Sequence, residues 1–184
     1  MLETDRLILR PMDERDVNAI FAMRSDVDVM RFIREPQDRD ESANWIKLVS
    51  SRWVREQIGF CAMLEKSSRQ FVGWCGIWRL EETDELEVGY AVAKQFWGKG
   101  FATEAALEFL DYAFEKLENE KIVAVARPEN AASRRVMEKL GMRYDYTGEF
   151  YGFELVHYSI RKDEYLTQRR DGAKKNKKLD EKAA

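Results

Sequence analysis

The sequence predicts a mixed α/β domain of the α+β type, built on a largely antiparallel sheet with helices on its faces. Three apolar segments, residues 59–65, 71–80 and 85–92, follow one another with short polar links, which favours an antiparallel meander. A strand–loop–helix segment over 87–106 then interrupts the meander, and a terminal hairpin over 143–160 turns at 151–152. These three observations define the predicted fold class.

The remaining elements follow from hydrophobic spacing and capping residues. A proline ends the first strand, and Gly141 is expected to end the last helix before the hairpin. The predicted elements are a strand over 6–11, a helix capped by Asp13, helices over 40–57, 101–117 and 131–140, and a central strand over 122–126. Together with the meander and the hairpin, they account for one folded domain over residues 1–168.

Composition sets the expected setting of this domain. The 184 residues are 45% hydrophobic and 35% charged, as in soluble globular proteins. No apolar run approaches the roughly 20 residues that cross a bilayer, and the N-terminus lacks an apolar signal core. We therefore expect a cytoplasmic protein without a membrane partner. Ordered structure is expected to fade after Tyr165, with residues 169–184 forming a basic, disordered tail.

Charge and cysteine content narrow the partners. The net charge is −3 although the tail is basic, so the body is acidic and no specific nucleic-acid partner is expected. Cys61 and Cys75 lie in apolar segments without an adjacent base, which predicts buried reduced thiols and argues against a covalent cysteine mechanism. No cluster of cysteine and histidine resembles a zinc site, and we expect no metal.

A glycine-bearing loop opens the helix at residue 101. Gly98 and Gly100 leave backbone N–H groups uncovered at a helix N-terminus, where the helix dipole favours phosphate. The loop lacks the P-loop pattern, and it fails the dinucleotide pattern because Thr103 replaces the third glycine. The loop therefore predicts a site for another phosphate-bearing cofactor.

The loop and its flanking segments resemble the GNAT family of acyl-CoA-dependent N-acyltransferases. The matching segments are TDRLILRP, ELEVGYAV, QFWGKGFATEA and PENAASRRVMEKLGM. Three pieces are similar to the RimJ/RimL-like branch in particular: TDRLILRP, EVGY and WGKGFATEA. The resemblance spans about residues 2–165. It implies the GNAT fold, with splayed strands at the acyl-CoA site, and direct transfer of an acetyl group from acetyl-CoA to a primary amine.

The resemblance also assigns residues to the cofactor. Tyr90 to Val92 match the pantetheine-binding strand, the loop matches the pyrophosphate site, and Val92 supplies the amide for the oxyanion. The implied acyl-CoA residues are Tyr90, Ala91, Val92, Gln95, Phe96, Trp97, Gly98, Lys99, Gly100, Phe101, Ala102, Thr103, Asn130 and Ser133. Arg134 and Arg135 either reach the CoA phosphates or form a solvated helix face.

Glu87 is the favoured base for the amine proton. Period-two alternation places Glu85 and Glu87 on one face of their strand, and Glu85 is the second candidate. His157, the single histidine, has a suitable ordinary pKa, but its neighbours on the last strand predict a structural role. The base therefore stays open among these three residues.

The acid and the acceptor are less defined. Met137 occupies the position at which many relatives carry a tyrosine, and it cannot donate a proton. Ser133 matches the N-x-x-S of the RimJ/RimL-like pattern, which implies that it hydrogen-bonds the CoA thiolate directly or through water; an ordinary serine in the first helical turn is the alternative. The resemblance favours a protein N-terminal α-amine as acceptor. A polyamine, an amino acid or an aminoglycoside stays open, as do a non-catalytic acyl-CoA sensor and the choice between monomer and homodimer.

Overall fold

A computed structural model of the chain describes residues 1–80 and 83–171. Eight strands form one sheet: β1 Leu2–Glu3, β2 Leu7–Pro11, β3 Gly59–Glu65, β4 Phe71–Arg79, β5 Leu86–Val92, β6 Lys121–Ala126, β7 Arg143–Phe150 and β8 Phe153–Arg161. The helices are α1 Val17–Arg24, α2 Val27–Met30, α3 Arg39–Glu56, α4 Phe101–Glu115, α5 Ala131–Lys139 and α6 at 162–171.

The strand order is β1-β2-β3-β4-β5-β6-β8-β7. All neighbouring strands pair antiparallel except β5 and β6, which run parallel because α4 crosses over between them. The predicted mixed, mostly antiparallel sheet with flanking helices is confirmed. The central position predicted for residues 122–126 is also confirmed, since β6 lies between β5 and β8.

The helices lie on both faces of the sheet. Trp45 of α3 packs against Trp74 of β4 and Phe60 of β3, with ring centroids 5.3 and 5.8 Å away. Tyr90 projects from the other face of β5 and contacts Ser133 of α5. The two faces of β5 therefore meet different helices, and this separation organises the site described below.

Two of the helical segments begin with an acidic capping box. Asp13 forms a capping box with Asp16, but the helix that it caps is a 3₁₀ turn, Glu14–Asp16, which continues into α1. Asp38 forms a second capping box at the start of α3, and Gln57 ends that helix in the left-handed region. The predicted helix starts were therefore correct within a few residues.

Two segments differ from the sequence-based prediction. Strand β1 was missed because it has only two residues, which show no periodicity. The expectation that order fades after Tyr165 was wrong, since α6 continues to residue 171. Tyr165 donates to Asp111 of α4 at 2.9 Å, and Arg169 pairs with the same carboxylate at 2.7 Å. Residues 172–184, most of the predicted disordered tail, lie outside the described residues.

In the described part of the chain, no helix combines the length and apolar character that a bilayer crossing needs.

Gly76 of β4 allows β3 and β4 to approach closely. A Cβ built on Gly76 would lie 2.0 Å from the carbonyl oxygen of Gly59, a backbone atom that cannot rotate away. We expect Gly76→Ala to lower the free energy of unfolding by about 1–3 kcal/mol, measured by urea denaturation. Gly148→Ala is the control, because its Cβ would meet only the rings of Tyr146 and Phe150 at 3.2 Å. Equal losses in both variants would contradict this explanation.

Candidate active site

The candidate site lies where β5 and β6 separate. The two strands share one registered pair, Glu87 with Val123, and then diverge. A cavity of about 470 Å³ lies beyond this point, between the end of β5, the start of α4 and the start of α5. This volume is within the range of small-molecule sites.

Most of the predicted acyl-CoA residues line this cavity. They are Tyr90, Ala91, Val92, Phe96, Trp97, Gly98, Gly100, Phe101, Ala102, Thr103, Asn130 and Ser133. Gln95 and Lys99 belong to the same loop but do not line the cavity, and the Lys99 ammonium lies over the Phe96 ring at 4.9 Å. The cofactor roles assigned to all of these residues stay predictions.

Sequence reasoning missed one wall of the cavity. Asp28, Val29, Phe32 and Ile33, from α2 and the turn after it, also line the cavity. Asp28 also forms an ion pair with Lys94, which joins α2 to the segment before the loop. No local pattern marks these residues, because they reach the cavity only through the packing of α2.

The loop conformation agrees with the predicted role of its glycines. Gly98 and Gly100 have φ values of 76° and 81°, in the left-handed region that favours glycine. Gly100 is the N-cap of α4, and Phe101, Ala102 and Thr103 of the first helical turn, whose N–H groups have no partner within the helix, line the cavity. Trp97 donates its indole N–H to the Val92 carbonyl at 2.7 Å and joins the loop to the end of β5.

An ion pair from the first strand region holds the loop in place. Arg6 contacts Glu104 of α4 at 2.6 Å and donates to the Lys99 carbonyl at 3.0 Å. Thr4 also donates to Glu104. Burial raises the pKa of Glu104, but the hydrogen bonds from Thr4 and Arg6 outweigh it, so the pKa lies below its ordinary value. The charged carboxylate therefore fixes the loop.

Ser133, Asn130 and Tyr90 form a polar group at the inner wall of the cavity. The Asn130 side chain accepts from the Ser133 amide at 3.1 Å and caps the start of α5. The Tyr90 hydroxyl lies 3.1 Å from the Ser133 carbonyl oxygen and 3.2 Å from its Oγ. Burial raises the pKa of Tyr90, so this phenol stays protonated and can donate.

The other residues of α5 divide between the cavity and the core. Met137 is buried, which explains an apolar side chain at that position. Arg134 turns back to donate to the Pro128 carbonyl at 3.3 Å, whereas Arg135 lines the cavity. Of the two arginines considered for the CoA phosphates, only Arg135 lies at the cavity. Lys139 adds a second cation there.

Glu87 lies on the opposite face of β5 from Tyr90, as the alternation predicts. Trp78 is the register partner of Glu87, and its ring stacks on Phe60. A Cβ built on Gly89, two residues after Glu87, would lie 2.8 Å from the Phe60 ring. Glu87 and Gly89 therefore share the sheet face that carries these two rings. The hydroxyl of Tyr151, in the β7–β8 turn, donates to Glu87 Oε2 at 2.7 Å. The sequence indicates only a turn at Tyr151, because nothing local to this residue reveals the contact with Glu87.

Glu85 and His157 belong to a separate charged network. His157 is fully buried, with Nδ1 3.1 Å from Asp145 and Nε2 3.3 Å from Glu85. Its ring stacks on Tyr146 with centroids 4.7 Å apart, and Lys121 pairs with Glu85 at 2.9 Å. These contacts agree with the structural role predicted for His157, and they give Glu85 partners away from the cavity.

The two cysteines are register partners on β3 and β4. Burial raises the pKa of Cys61 to about 12 and raises that of Cys75 as well, so thiolates are disfavoured at neutral pH. In residues 1–80 and 83–171, no group of three or more His, Cys, Asp or Glu is arranged to hold a metal ion.

Comparisons with known proteins agree with this geometry. The family profile described as an acetyltransferase (GNAT) domain matches residues 6–143. The chain is 36% identical over 154 residues to the Bacillus subtilis (strain 168) protein YkkB, and the alignment covers 79% of this chain and 87% of YkkB. It is 34% identical over 102 residues to YdaF of the same organism, named as a candidate ribosomal N-acetyltransferase, with coverage of 50% and 55%.

A solved structure supports the fold independently. The spermidine N-acetyltransferase of Vibrio cholerae, in complex with CoA and spermine, matches with a TM-score of 0.73 and covers 88% of this chain and 98% of that chain. Its sequence identity to this chain is 20%, so the likeness concerns the fold alone.

The chain belongs to the GNAT acetyltransferase family, in its RimJ/RimL-like branch. It is an acetyl-CoA-dependent N-acetyltransferase.

Glu104 is expected to support CoA binding without touching the cavity. Glu104→Gln removes the charge that holds Arg6, so the loop loses its anchor and we expect CoA affinity to fall about three- to tenfold. Isothermal titration with CoA measures this. Glu115→Gln, at the far end of α4, is the matched control and is expected to bind CoA like the unmodified protein. Unchanged affinity in both variants would contradict the anchoring role.

Glu85 is expected to make stability depend on acid pH. Burial raises its pKa, but hydrogen bonds from Lys121, Thr83 and His157 lower it below the ordinary 4.5 overall. Its contribution is therefore complete above the ordinary pKa and is lost as the pH falls through the lowered value. The difference in unfolding free energy between the unmodified protein and Glu85→Gln, from urea denaturation, should narrow between about pH 6 and pH 3. A constant difference would contradict this.

Proposed function

We propose that this enzyme acetylates a protein N-terminal α-amine, with acetyl-CoA in the cavity between the end of β5 and the starts of α4 and α5. One observation carries the cofactor part of the proposal: the cavity joins the N-terminus of α4 to Tyr90, Ala91 and Val92, on the strand that also bears Glu87. The name of the relative YdaF supports a ribosomal protein as acceptor. A small amine, such as a polyamine, an amino acid or an aminoglycoside, is the alternative acceptor.

The cofactor would follow the cavity from the surface inward. Its pyrophosphate would bind N–H groups of residues 98–103, where the helix dipole adds positive potential, since the Phe96 and Trp97 N–H groups already donate to backbone carbonyls. Arg135 and Lys139 supply cations nearby. Its pantetheine amides would pair with the backbone of Tyr90 to Val92, beside Asn130. Pairing of this kind would satisfy the backbone N–H and C=O groups at the end of β5, where β6 has diverged from it.

Glu87 would serve as the base. The neutral amine attacks the thioester carbonyl and forms the C–N bond, and the Val92 amide N–H stabilises the oxyanion. The proton of the attacking nitrogen passes to Glu87, through water where the distance requires it. Ala91 lines the cavity and shares a strand face with Glu87, which supports access of the amine from that side.

Ser133 would assist the leaving group. The C–S bond breaks, and the CoA thiolate accepts a hydrogen bond from the Ser133 hydroxyl, directly or through the water that protonates it. The Tyr90 phenol, 3.2 Å from Ser133 Oγ, holds this hydroxyl in place. Tyr90 and Ser133 together would offer a polar replacement for the tyrosine that many relatives carry at the position of Met137.

The test uses acetyl-CoA with an acceptor panel of ribosomal-protein N-terminal peptides, polyamines, amino acids and aminoglycosides, and it measures CoA release. Turnover with peptides supports the proposed acceptor. Turnover only with a small amine overturns that part of the proposal. Mass spectrometry of the product peptide locates the acetyl group on the α-amine or on a lysine.

Glu87→Gln is expected to lower kcat about 10²–10⁴-fold, because general base catalysis is lost, while the affinity for CoA is retained. Glu149 is exposed and lies near the turn between β7 and β8, so Glu149→Gln is the matched control and is expected to keep full activity. Glu85→Gln distinguishes the two carboxylates on this face of the strand. Full activity of Glu87→Gln together with an inactive Glu85→Gln would transfer the role of base to Glu85.

A further inference from the structure

The turn between β7 and β8 places a tyrosine in an unfavourable backbone conformation. Phe150 and Phe153 are paired, so Tyr151 and Gly152 form a two-residue loop. Their φ values are 54° and 74°, as in a type I′ turn, whose first position favours asparagine, aspartate or glycine. A bulky residue with positive φ is uncommon and marks strain that the surroundings must support.

The strained turn directs the tyrosine side chain onto the Glu87 face of the sheet. The ring is half-buried against the small cluster of Leu80, Val123, Phe150 and Leu155. From there the hydroxyl donates to Glu87 Oε2 at 2.7 Å. Val123 is also the register partner of Glu87 on β6, so the ring packs beside the point where β5 and β6 separate.

The hairpin that carries the turn is fixed to the base of β5. His157 of β8 contacts Asp145 of β7 through one ring nitrogen and Glu85 through the other. Glu85 is two residues before Glu87 on the same strand face. The hairpin is thus joined to this segment at two places, and the phenol is held at a defined position relative to the carboxylate.

We propose that Tyr151 is the positioning residue for Glu87, an inference that rests on the proposed function. A phenol that donates to a carboxylate favours one rotamer of that side chain and stabilises its charged form. Glu87 is thereby oriented before the amine arrives. When the carboxylate takes the proton of the attacking nitrogen, the hydroxyl keeps its own proton and no net transfer to Tyr151 occurs.

Tyr151→Phe tests this role while keeping the ring and its packing. We expect kcat to fall about tenfold with the KM for acetyl-CoA unchanged, because the cofactor cavity is not altered. The acidic limb of the pH–rate profile is expected to move to higher pH, since the base loses a donor to its charged form. In the Glu87→Gln background, Tyr151→Phe should cause little further loss, as expected for residues that act together.

Tyr144→Phe is the matched control. Tyr144 lies on the same hairpin, is 54% exposed, and its hydroxyl contacts Thr147 at 3.1 Å. This variant is expected to keep the unmodified kcat and pH profile. Circular dichroism and thermal melting of both variants show whether the hairpin remains folded.

The outcomes separate this inference from the proposed function. If Glu87→Gln is inactive but Tyr151→Phe keeps the unmodified kcat and pH profile, the positioning role is overturned and the function stands. A lower melting temperature with an unchanged pH profile also overturns it, since a purely structural contact would behave in this way. An unmodified protein that transfers acetyl groups to no amine overturns the proposed function and this inference with it.

Discussion

The parallel strands β5 and β6 share the pair Glu87 and Val123 and then diverge, and the whole site depends on this separation. Backbone N–H and C=O groups in a protein interior require partners. The end of β5 loses β6 as a neighbour, and Trp97 satisfies one carbonyl, that of Val92. A ligand with amide groups of its own suits such an edge. The N-terminus of α4 lies beside the same opening, so one cavity offers both a backbone edge and an anion site.

The two faces of β5 then divide the proposed chemistry. Tyr90 and Ser133 lie on the side of α5, whereas Glu87 and Tyr151 lie on the side that α3 covers. Period-two alternation alone produces this division, because adjacent residues of a strand point to opposite faces. A thioester held at the strand edge between them can lose a thiolate on one side and receive an amine on the other. The proposed base and the proposed hydrogen-bond donor therefore need not compete for one position.

Long-range contacts hold this local arrangement in place. Arg6, next to β2, anchors the loop through Glu104, and α6 packs on α4 through Tyr165 and Asp111. The histidine network attaches the β7–β8 hairpin to the start of β5. Each contact joins segments far apart in the chain, which explains why such residues escaped the sequence analysis. In the sequence they are ordinary charged or aromatic residues, and only the fold shows which partners they contact.

The sequence by itself determined the meander, the crossover helix, the terminal hairpin and the glycine loop, because each follows from periodicity or from a residue with a local backbone preference. It also determined the family and most of the residues that line the cavity. Only the tertiary structure decided that α2 forms a cavity wall, that α6 extends the domain, and that Tyr151 reaches Glu87. The reason is physical: those features depend on which distant surfaces pack together, and a two-residue strand or a single hydroxyl leaves no pattern in its own neighbourhood.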